Sequence, residues 1–311
     1  MTFLKKIMSH PILSYLKENF CKEKNDSLNF ILHLRGSAVV FIFYLNRKPI
    51  AVAKLSRDNF SELIQEYENL KKLHHLFRGF EIEKTIEEPL GLINLGEPVL
   101  LKKYIEGIPG DIYLAKGKEK AIKCLNLAVD WLINFLNNLK SYRTNSKDEK
   151  IKIAKKFYQG GLPSYFKLWI ENKSFFISPT VGDLIIRNFL VEDDGIKGVI
   201  DFATFEMKGI PEADLIGLMV SSATSIFGLN EKAIKNTFFC KNWFSSEVKN
   251  LFQKYCQFFK INFKDFLEIL PIYSDRAISI ATKQKDKKLI EFHSMLKDNF
   301  IKKQKQIFQE I

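Results

Sequence analysis

Gly182-Asp183-Leu184-Ile185-Ile186-Arg187-Asn188, followed by Val199-Ile200-Asp201-Phe202, sets an Asp, an Asn five residues later and a second Asp thirteen residues beyond that. One class of enzyme that transfers a phosphoryl group from a nucleotide to a hydroxyl uses such a trio. One carboxylate accepts the proton of the attacking hydroxyl. An amide and a second carboxylate offer oxygen ligands to the Mg²⁺ that neutralises the phosphates. Asp183 is therefore the candidate catalytic base, and Asn188 and Asp201 are the candidate metal ligands.

The residues between the two motifs support that reading. Phe189-Leu190-Val191 is an apolar strand, Asp193-Asp194-Gly195 is a tight-turn signal, and Ile196 to Phe202 reads as the returning strand of a hairpin. Such a hairpin would bring Asp201 back near Asn188. Taken singly, Asp183 could be a turn former, Asn188 a cap and Asp201 a strand end. Their joint spacing favours a site.

Upstream, Asn29 to Leu34, Ala38 to Leu45, Ile50 to Leu55 and Pro98 to Tyr104 are rich in β-branched and aromatic residues and read as strands. Leu63, Glu66, Leu70 and Leu73 recur at helical spacing in a segment that opens near Asp58 and runs to about Phe77. Ala51-Val52-Ala53-Lys54 ends an apolar strand on a lysine, and a buried ammonium needs a carboxylate. Of Glu62, Glu66 and Glu68, Glu66 shares the apolar stripe most closely. Lys54 and Glu66 are thus candidate nucleotide-binding residues, against the alternative of a solvated Lys and a helix-face Glu. Gly36 and Ser37, in the turn Arg35-Gly36-Ser37, are candidates for a loop over the phosphates, although a G-x-G-x-x-G is absent. Leu100 to Gly107 is a strand running into a glycine bend. Lys103 and Ile105 there are candidates for contact with the nucleotide base. A boundary is expected near residue 106, dividing a nucleotide-binding lobe (1–106) from a mainly helical catalytic and substrate lobe (107–311).

Composition narrows the class. The chain has 311 residues, 46% of them hydrophobic and 27% charged, as in ordinary globular proteins. Its net charge of +12 invites a nucleic-acid or anionic-membrane reading, but the lysines are scattered and no recognition motif interleaves them with aromatics. Nucleic acid is not an expected partner. The Lys-rich segment Lys283 to Ile311 carries an apolar stripe at Leu289, Phe292, Leu296, Phe300 and Ile307, which favours docking on the protein over binding a charged surface. Cys21, Cys124, Cys240 and Cys256 form no C-x-x-C pair, so neither a zinc site nor a disulfide framework is expected. Free thiols, the lack of a signal-peptide pattern and the lack of a transmembrane segment point to a cytoplasmic protein. The oligomeric state is left open.

With the downstream Gly209-Ile210-Pro211-Glu212-Ala213-Asp214-Leu215, the ordered motifs resemble the aminoglycoside phosphotransferase and choline kinase-like family, whose pattern is H-G-D-L-x-x-x-N-x-L, I-D-[WF] and G-x-P-x-x-D-L. Lys54, Glu66 and Leu101-x-x-Tyr104-Ile105-x-Gly107 fall where that family has its N-terminal lobe and hinge, and the resemblance spans about Leu28 to Met219. It implies an α+β, two-lobed protein-kinase-like fold, with a small antiparallel sheet and one main helix in the first lobe. It further implies phosphorylation of a small-molecule hydroxyl by Mg-ATP, with GTP as an open alternative donor. Asp214 would accept hydrogen bonds from the catalytic loop. Three positions depart from the family: Val181 stands where it has His, Ile185-Ile186 replace polar or proline residues, and Lys103 replaces an acid. These departures leave a nucleotide-binding pseudokinase as the alternative reading. The +12 charge argues against a polycationic acceptor and for a sugar, an amino alcohol or a related metabolite.

Overall fold

The structure, a computed structural model, describes residues 12–21, 27–35, 38–56, 60–94, 98–158 and 161–308. The chain forms two compact units. One is Met1–Glu106 together with Gly198–Ala203; the other is Gly107–Lys197 together with Thr204–Ile311.

Strand parity organises the first unit. Helix α1 (Ile12–Phe20) precedes strands β1 (Leu28–Arg35), β2 (Ala38–Leu45) and β3 (Lys48–Ser56). Helix α2 (Phe60–Leu76) follows, then β4 (Pro89–Asn94) and β5 (Pro98–Lys103). The five strands make one antiparallel sheet in the order β1-β2-β3-β5-β4. Successive side chains of a strand point to opposite faces. Val39, Phe41, Phe43, Ala51, Ala53, Leu55, Val99 and Leu101 therefore share one face, where Ile12 and Leu16 of α1 join them in a single core. Phe30, Phe41 and Phe43 stack there with ring centroids 5.6–6.2 Å apart. The other parity puts Lys54 and Lys102 on the opposite face, since Lys54 pairs with Leu100 and Val52 with Lys102. The buried stripe of α2 is Leu63, Glu66, Asn69, Leu70 and Leu73.

The second unit is mostly helical. Its early elements are β6 (Ile108–Pro109), α3 (Gly110–Leu114), α4 (Lys118–Asn138), α5 (Lys147–Lys155) and α6 (Ser164–Glu171). Strands β7 (Ser178–Thr180), β8 (Phe189–Glu192), β9 (Gly195–Val199) and β10 (Glu206–Gly209) interrupt the helices. β10 pairs with β7, β6 pairs with β8, and β9 carries the chain back into the first unit at Gly198. The returning strand ends at Val199 rather than Phe202, because Asp201 takes a positive φ of 70° that extended pairing does not allow. Helix α7 (Pro211–Phe227) is buried on nearly every side from Pro211 to Val220, the signature of a helix at the centre of a core. Around it lie α8 (Glu231–Phe238), α9 (Trp243–Phe259), α10 (Phe263–Glu268), α11 (Leu270–Lys283) and α12 (Lys287–Lys302).

The last segment is not one helix. Lys283 closes α11, Lys285 adopts a φ of 57°, and the Asp286 side chain caps α12 by accepting from the Leu289 N–H. The apolar stripe faces inward as its spacing predicts: Phe292, Leu296, Phe300 and Ile307 are buried, and Phe300 meets Phe238 edge-on at 4.8 Å. The four cysteines are free, and no helix of the described residues is long and apolar enough to cross a membrane.

Leu296 has no exposed surface, so Leu296→Ala should cost about 2–5 kcal/mol in chemical denaturation. Lys287→Ala and Lys288→Ala, at exposed positions of the same helix, should change stability by no more than about 0.5 kcal/mol.

Candidate functional site

Parity in the first unit brings two lysines to the face of the sheet where α2 carries its one buried acid. Lys54 Nζ lies 2.7 Å from Glu66 Oε2 and 3.1 Å from Asp201 Oδ1. Glu66 Oε1 receives Lys102 Nζ at 2.7 Å, and that same ammonium is 2.7 Å from Glu87 Oε1. Glu87 Oε2 in turn accepts the Asp201 backbone N–H at 3.0 Å. Lys54, Glu66, Lys102, Glu87 and Asp201 thus close a ring of charge-assisted hydrogen bonds. Glu66, Lys102 and Glu87 are only 0%, 4% and 5% exposed, whereas the Asp201 side chain is 44% exposed. Burial alone would lower the Lys54 ammonium, but the Asp201 and Glu66 carboxylates raise it above the ordinary lysine range. Lys102 is raised in the same way against its burial by Glu66 and Glu87. Burial pushes Glu87 up, and Lys102 opposes the shift.

Asp201 is held in its left-handed conformation from both sides. Asn69, one helical turn beyond Glu66, donates through Nδ2 to Phe202 O at 2.8 Å and Ala203 O at 3.1 Å. Gln65 fixes that amide by donating to its Oδ1. Val199 bridges to Ile86, and at Gly198 a Cβ would press to 2.7 Å from Ile105 Cδ1. That contact places Ile105 against the segment leading to Asp201. The Lys103 side chain is exposed and paired with Glu88 at 3.0 Å, and its N–H donates to Glu88 O. Gly36 and Ser37 lie outside the described residues.

In the second unit, one buried carboxylate shapes the loop that carries Asp183. Asp214, in the first turn of α7, accepts the Val181 N–H at 2.8 Å and the Gly182 N–H at 3.0 Å. Arg276 of α11 reaches the same carboxylate at 3.4 Å and Glu206 at 3.7 Å. Burial pushes the Asp214 carboxyl up to about 6 against the pull of Arg276 and the two amides. The acceptor role that the resemblance implies for Asp214 is what this geometry provides. Gly182 has a φ of 95°, and any Cβ there would overlap Thr204 O. Thr204 Oγ1 donates to Val181 O, and Ser221 Oγ of α7 accepts the Ile186 N–H at 3.0 Å. Asn188 is buried and donates through Nδ2 to Asp183 O at 3.2 Å, tying together the two ends of the loop. Val181 is buried, and its backbone donates to and accepts from neighbours where the family has a histidine side chain. Burial raises the Tyr273 phenol of α11, and the charge of Asp183 adds to the shift.

The structure therefore gathers Lys54, Glu66 and Asp201 in the first unit, and Asp183 and Asn188 in the second. Sequence reasoning did not find Lys102, Glu87, Asn69 or Tyr273. Strand parity sets Lys102 on the face opposite Val99 and Leu101, but it does not reveal the acids that Lys102 meets there. Glu87 precedes β4, a strand that Pro89 and Gly91 conceal.

No family model matches the sequence, and no curated protein matches it. Solved structures do. A thermostable mutant of aminoglycoside phosphotransferase APH(4)-Ia, in ternary complex with ADP and hygromycin B, is 10% identical; the match covers 94% of this chain and 98% of that one, with a TM-score of 0.59. The GDP and kanamycin complex of APH(2")-IIia is 13% identical, with 93% and 98% covered and a TM-score of 0.54. The GDP complex of wild-type aminoglycoside 2'-phosphotransferase-IIIa is 12% identical, with 93% and 97% covered and a TM-score of 0.51. The chain has the α+β, two-lobed protein-kinase-like fold of the aminoglycoside phosphotransferases, as the resemblance implied.

Glu212 is fully buried, two residues before Asp214. Burial pushes its carboxyl up to about 7, against the pull of its own backbone N–H, Lys150 and Trp169. The folded state then holds the proton more tightly than the unfolded chain, so this group removes stability as pH rises from the ordinary carboxylate range through about 7. Glu212→Gln should stabilise the protein at pH 8 by about 3 kcal/mol, with the gain shrinking toward zero near pH 4, read by urea denaturation at the two pH values.

Proposed function

We propose that the protein is a Mg-ATP-dependent phosphotransferase that moves the γ-phosphate of ATP to a hydroxyl of a small molecule. The observation that carries the reading is the Lys54 ammonium held 2.7 Å from Glu66 and 3.1 Å from Asp201. In this reading Lys54 binds the nucleotide phosphates, and Glu66 keeps its ammonium charged and aimed. Asp201 is the more exposed end of the ring and offers carboxylate oxygens of the kind Mg²⁺ takes. Asn188 supplies the second metal-binding side chain. Magnesium, when bound, neutralises charge on the phosphates during transfer. Asp183 accepts the proton of the attacking hydroxyl. Asp214 and Gly182 hold its loop, so the carboxylate need not reorganise when the acceptor arrives. Gly36, Ser37, Lys103 and Ile105 complete the proposed nucleotide-binding set, and GTP is a second candidate donor. ADP and GDP in the solved structures of the same fold support a nucleotide here.

Those structures also hold hygromycin B or kanamycin, but the charges of this chain favour a different acceptor. Several acids close to Asp183 in sequence are already matched. Asp193 meets Lys120, Asp194 meets Lys197 at 2.7 Å, and Glu206 meets Lys156 at 3.2 Å and Arg276. Glu212 is buried. With these acids paired or buried, a polycation would have to displace lysines to bind, whereas a neutral sugar or an amino alcohol would not.

Mg-ATP should raise the melting temperature of the wild-type protein, and Asp201→Ala should remove the magnesium-dependent part of that shift. ATP consumption is then screened against sugars, amino alcohols and aminoglycosides. With a responsive acceptor, Asp183→Asn should lower kcat by about 10²–10⁴-fold while leaving nucleotide affinity within a few-fold. No shift with Mg-ATP and no effect of Asp201→Ala would sink the proposal. Nucleotide binding without Asp183-dependent turnover of any acceptor would support the pseudokinase reading instead.

A further inference from the structure

We propose that Lys102 is a positioning residue: by gripping Glu66 and Glu87 together, it sets both the Lys54 ammonium and the Asp201 backbone. The nucleotide-binding consequence rests on the function proposed above; the structural linkage does not.

Position 102 is a strand residue with 4% exposure, and a place of that kind normally holds an apolar side chain. A lysine there is tolerated because two buried carboxylates meet it at 2.7 Å each. The two acids then act on different things. Glu66 points its other oxygen at Lys54, and Glu87 points its other oxygen at the Asp201 N–H. No other residue touches both acids in this way among the described contacts, so Lys102 is the joint between helix α2 and the segment before β4. Asp201 needs such a joint because its φ of 70° is disfavoured for a side-chain-bearing residue and must be held by its surroundings.

Removing the ammonium has unequal consequences for the two acids. With Met at position 102, Glu66 still has Lys54. Glu87 keeps only the Asp201 N–H and becomes a buried carboxylate without a cation, which drives it to turn away or take up a proton. Turning away breaks the grip on the Asp201 backbone, and protonation weakens it to a hydrogen bond on a neutral acceptor. Adding Glu87→Gln removes the stranded charge but leaves an acceptor oxygen for the Asp201 N–H, so part of the grip returns.

The test is hydrogen exchange at the Asp201 amide in the full chain, for wild type, Glu87→Gln, Lys102→Met/Glu87→Gln and Lys102→Met. Exchange should accelerate in that order, reaching tenfold or more in Lys102→Met, while amides of Leu70 and Leu73 in α2 change less than threefold. In parallel, affinity for MgADP should fall about tenfold in Lys102→Met and recover partly in the double variant. Equal exchange at residue 201 in wild type and Lys102→Met overturns the proposal. So does acceleration spread evenly over α2, which marks Lys102 as packing only. If Lys102→Met does not fold, Glu87→Gln is compared with the double variant: several-fold faster exchange in the double supports the proposal, and identical exchange overturns it. A wild-type protein that fails to bind MgADP defeats the functional reading, and the exchange order still decides the role of Lys102.

Discussion

A carboxylate taken fully out of water is stable as an anion only if a cation and hydrogen bonds come with it. The first unit buries two of them, Glu66 and Glu87, within reach of Lys102. Everything near the proposed phosphate-binding lysine follows from satisfying that demand. Lys102 serves both acids, Lys54 takes the second oxygen of Glu66, and the Asp201 N–H takes the second oxygen of Glu87. Two ammoniums then face three carboxylates, so with all five groups ionised the ring carries one negative charge. Asp201 is its most exposed member. The excess charge is shared over the ring, and its most solvent-reachable carboxylate oxygens are those of Asp201, of the kind a hard divalent cation takes.

The second unit uses the same device once more. Asp214 is buried at the start of α7 and draws in two consecutive backbone N–H groups and the Arg276 guanidinium. The loop bearing Asp183 is shaped by those amides, not by the identity of the side chain at 181. Val181 can therefore stand where the family that the sequence resembles has a histidine. The polar contacts that order the loop come from its backbone, from Thr204 and from Ser221, and the valine side chain is simply buried. The demand for glycine at 182 is equally local, since Thr204 O occupies the space a Cβ would need.

Much of this was legible in the sequence. The β-branched and aromatic run Ala38 to Leu45 reads as a strand, and the Leu63–Leu70–Leu73 stripe reports burial, because an apolar side chain has one physical reason to recur on one face. Glu66 was legible for the same reason: it is the acid that falls within the stripe. Asp183, Asn188 and Asp214 were legible because their spacing matches a known pattern. Lys102 was not, because a lysine in a strand reads as solvent-facing until the acids opposite it are known, and Glu87 lies in a segment with no periodicity. The left-handed Asp201 was also hidden, since its conformation is imposed by Glu87 and Asn69, both more than a hundred residues away in sequence. The break at Lys285 was missed because a lysine carries no turn signal, although Asp286 after it is an ordinary cap.

An identity of 10–13% over more than nine-tenths of the chain is enough to keep this fold because few of its constraints concern particular residues. Most of the core asks only for apolar volume at the right parity or helical phase, and Phe, Ile and Leu are interchangeable there at modest cost. The positions that tolerate no exchange are those where a buried charge must be answered or where a side chain has no room: Lys54 with Glu66, Asp214 with its two amides, and Gly182. A ring built on Lys102 and Glu87 adds a further answer of that kind. It can be gained or lost only as a set, because either partner alone would leave a charge stranded in the interior. The same reasoning explains how a chain of +12 overall can keep a near-neutral interior around these groups. Lys102 answers both Glu66 and Glu87 and Arg276 answers Asp214, while lysines such as Lys287 and Lys288 lie at the surface, where water stabilises them.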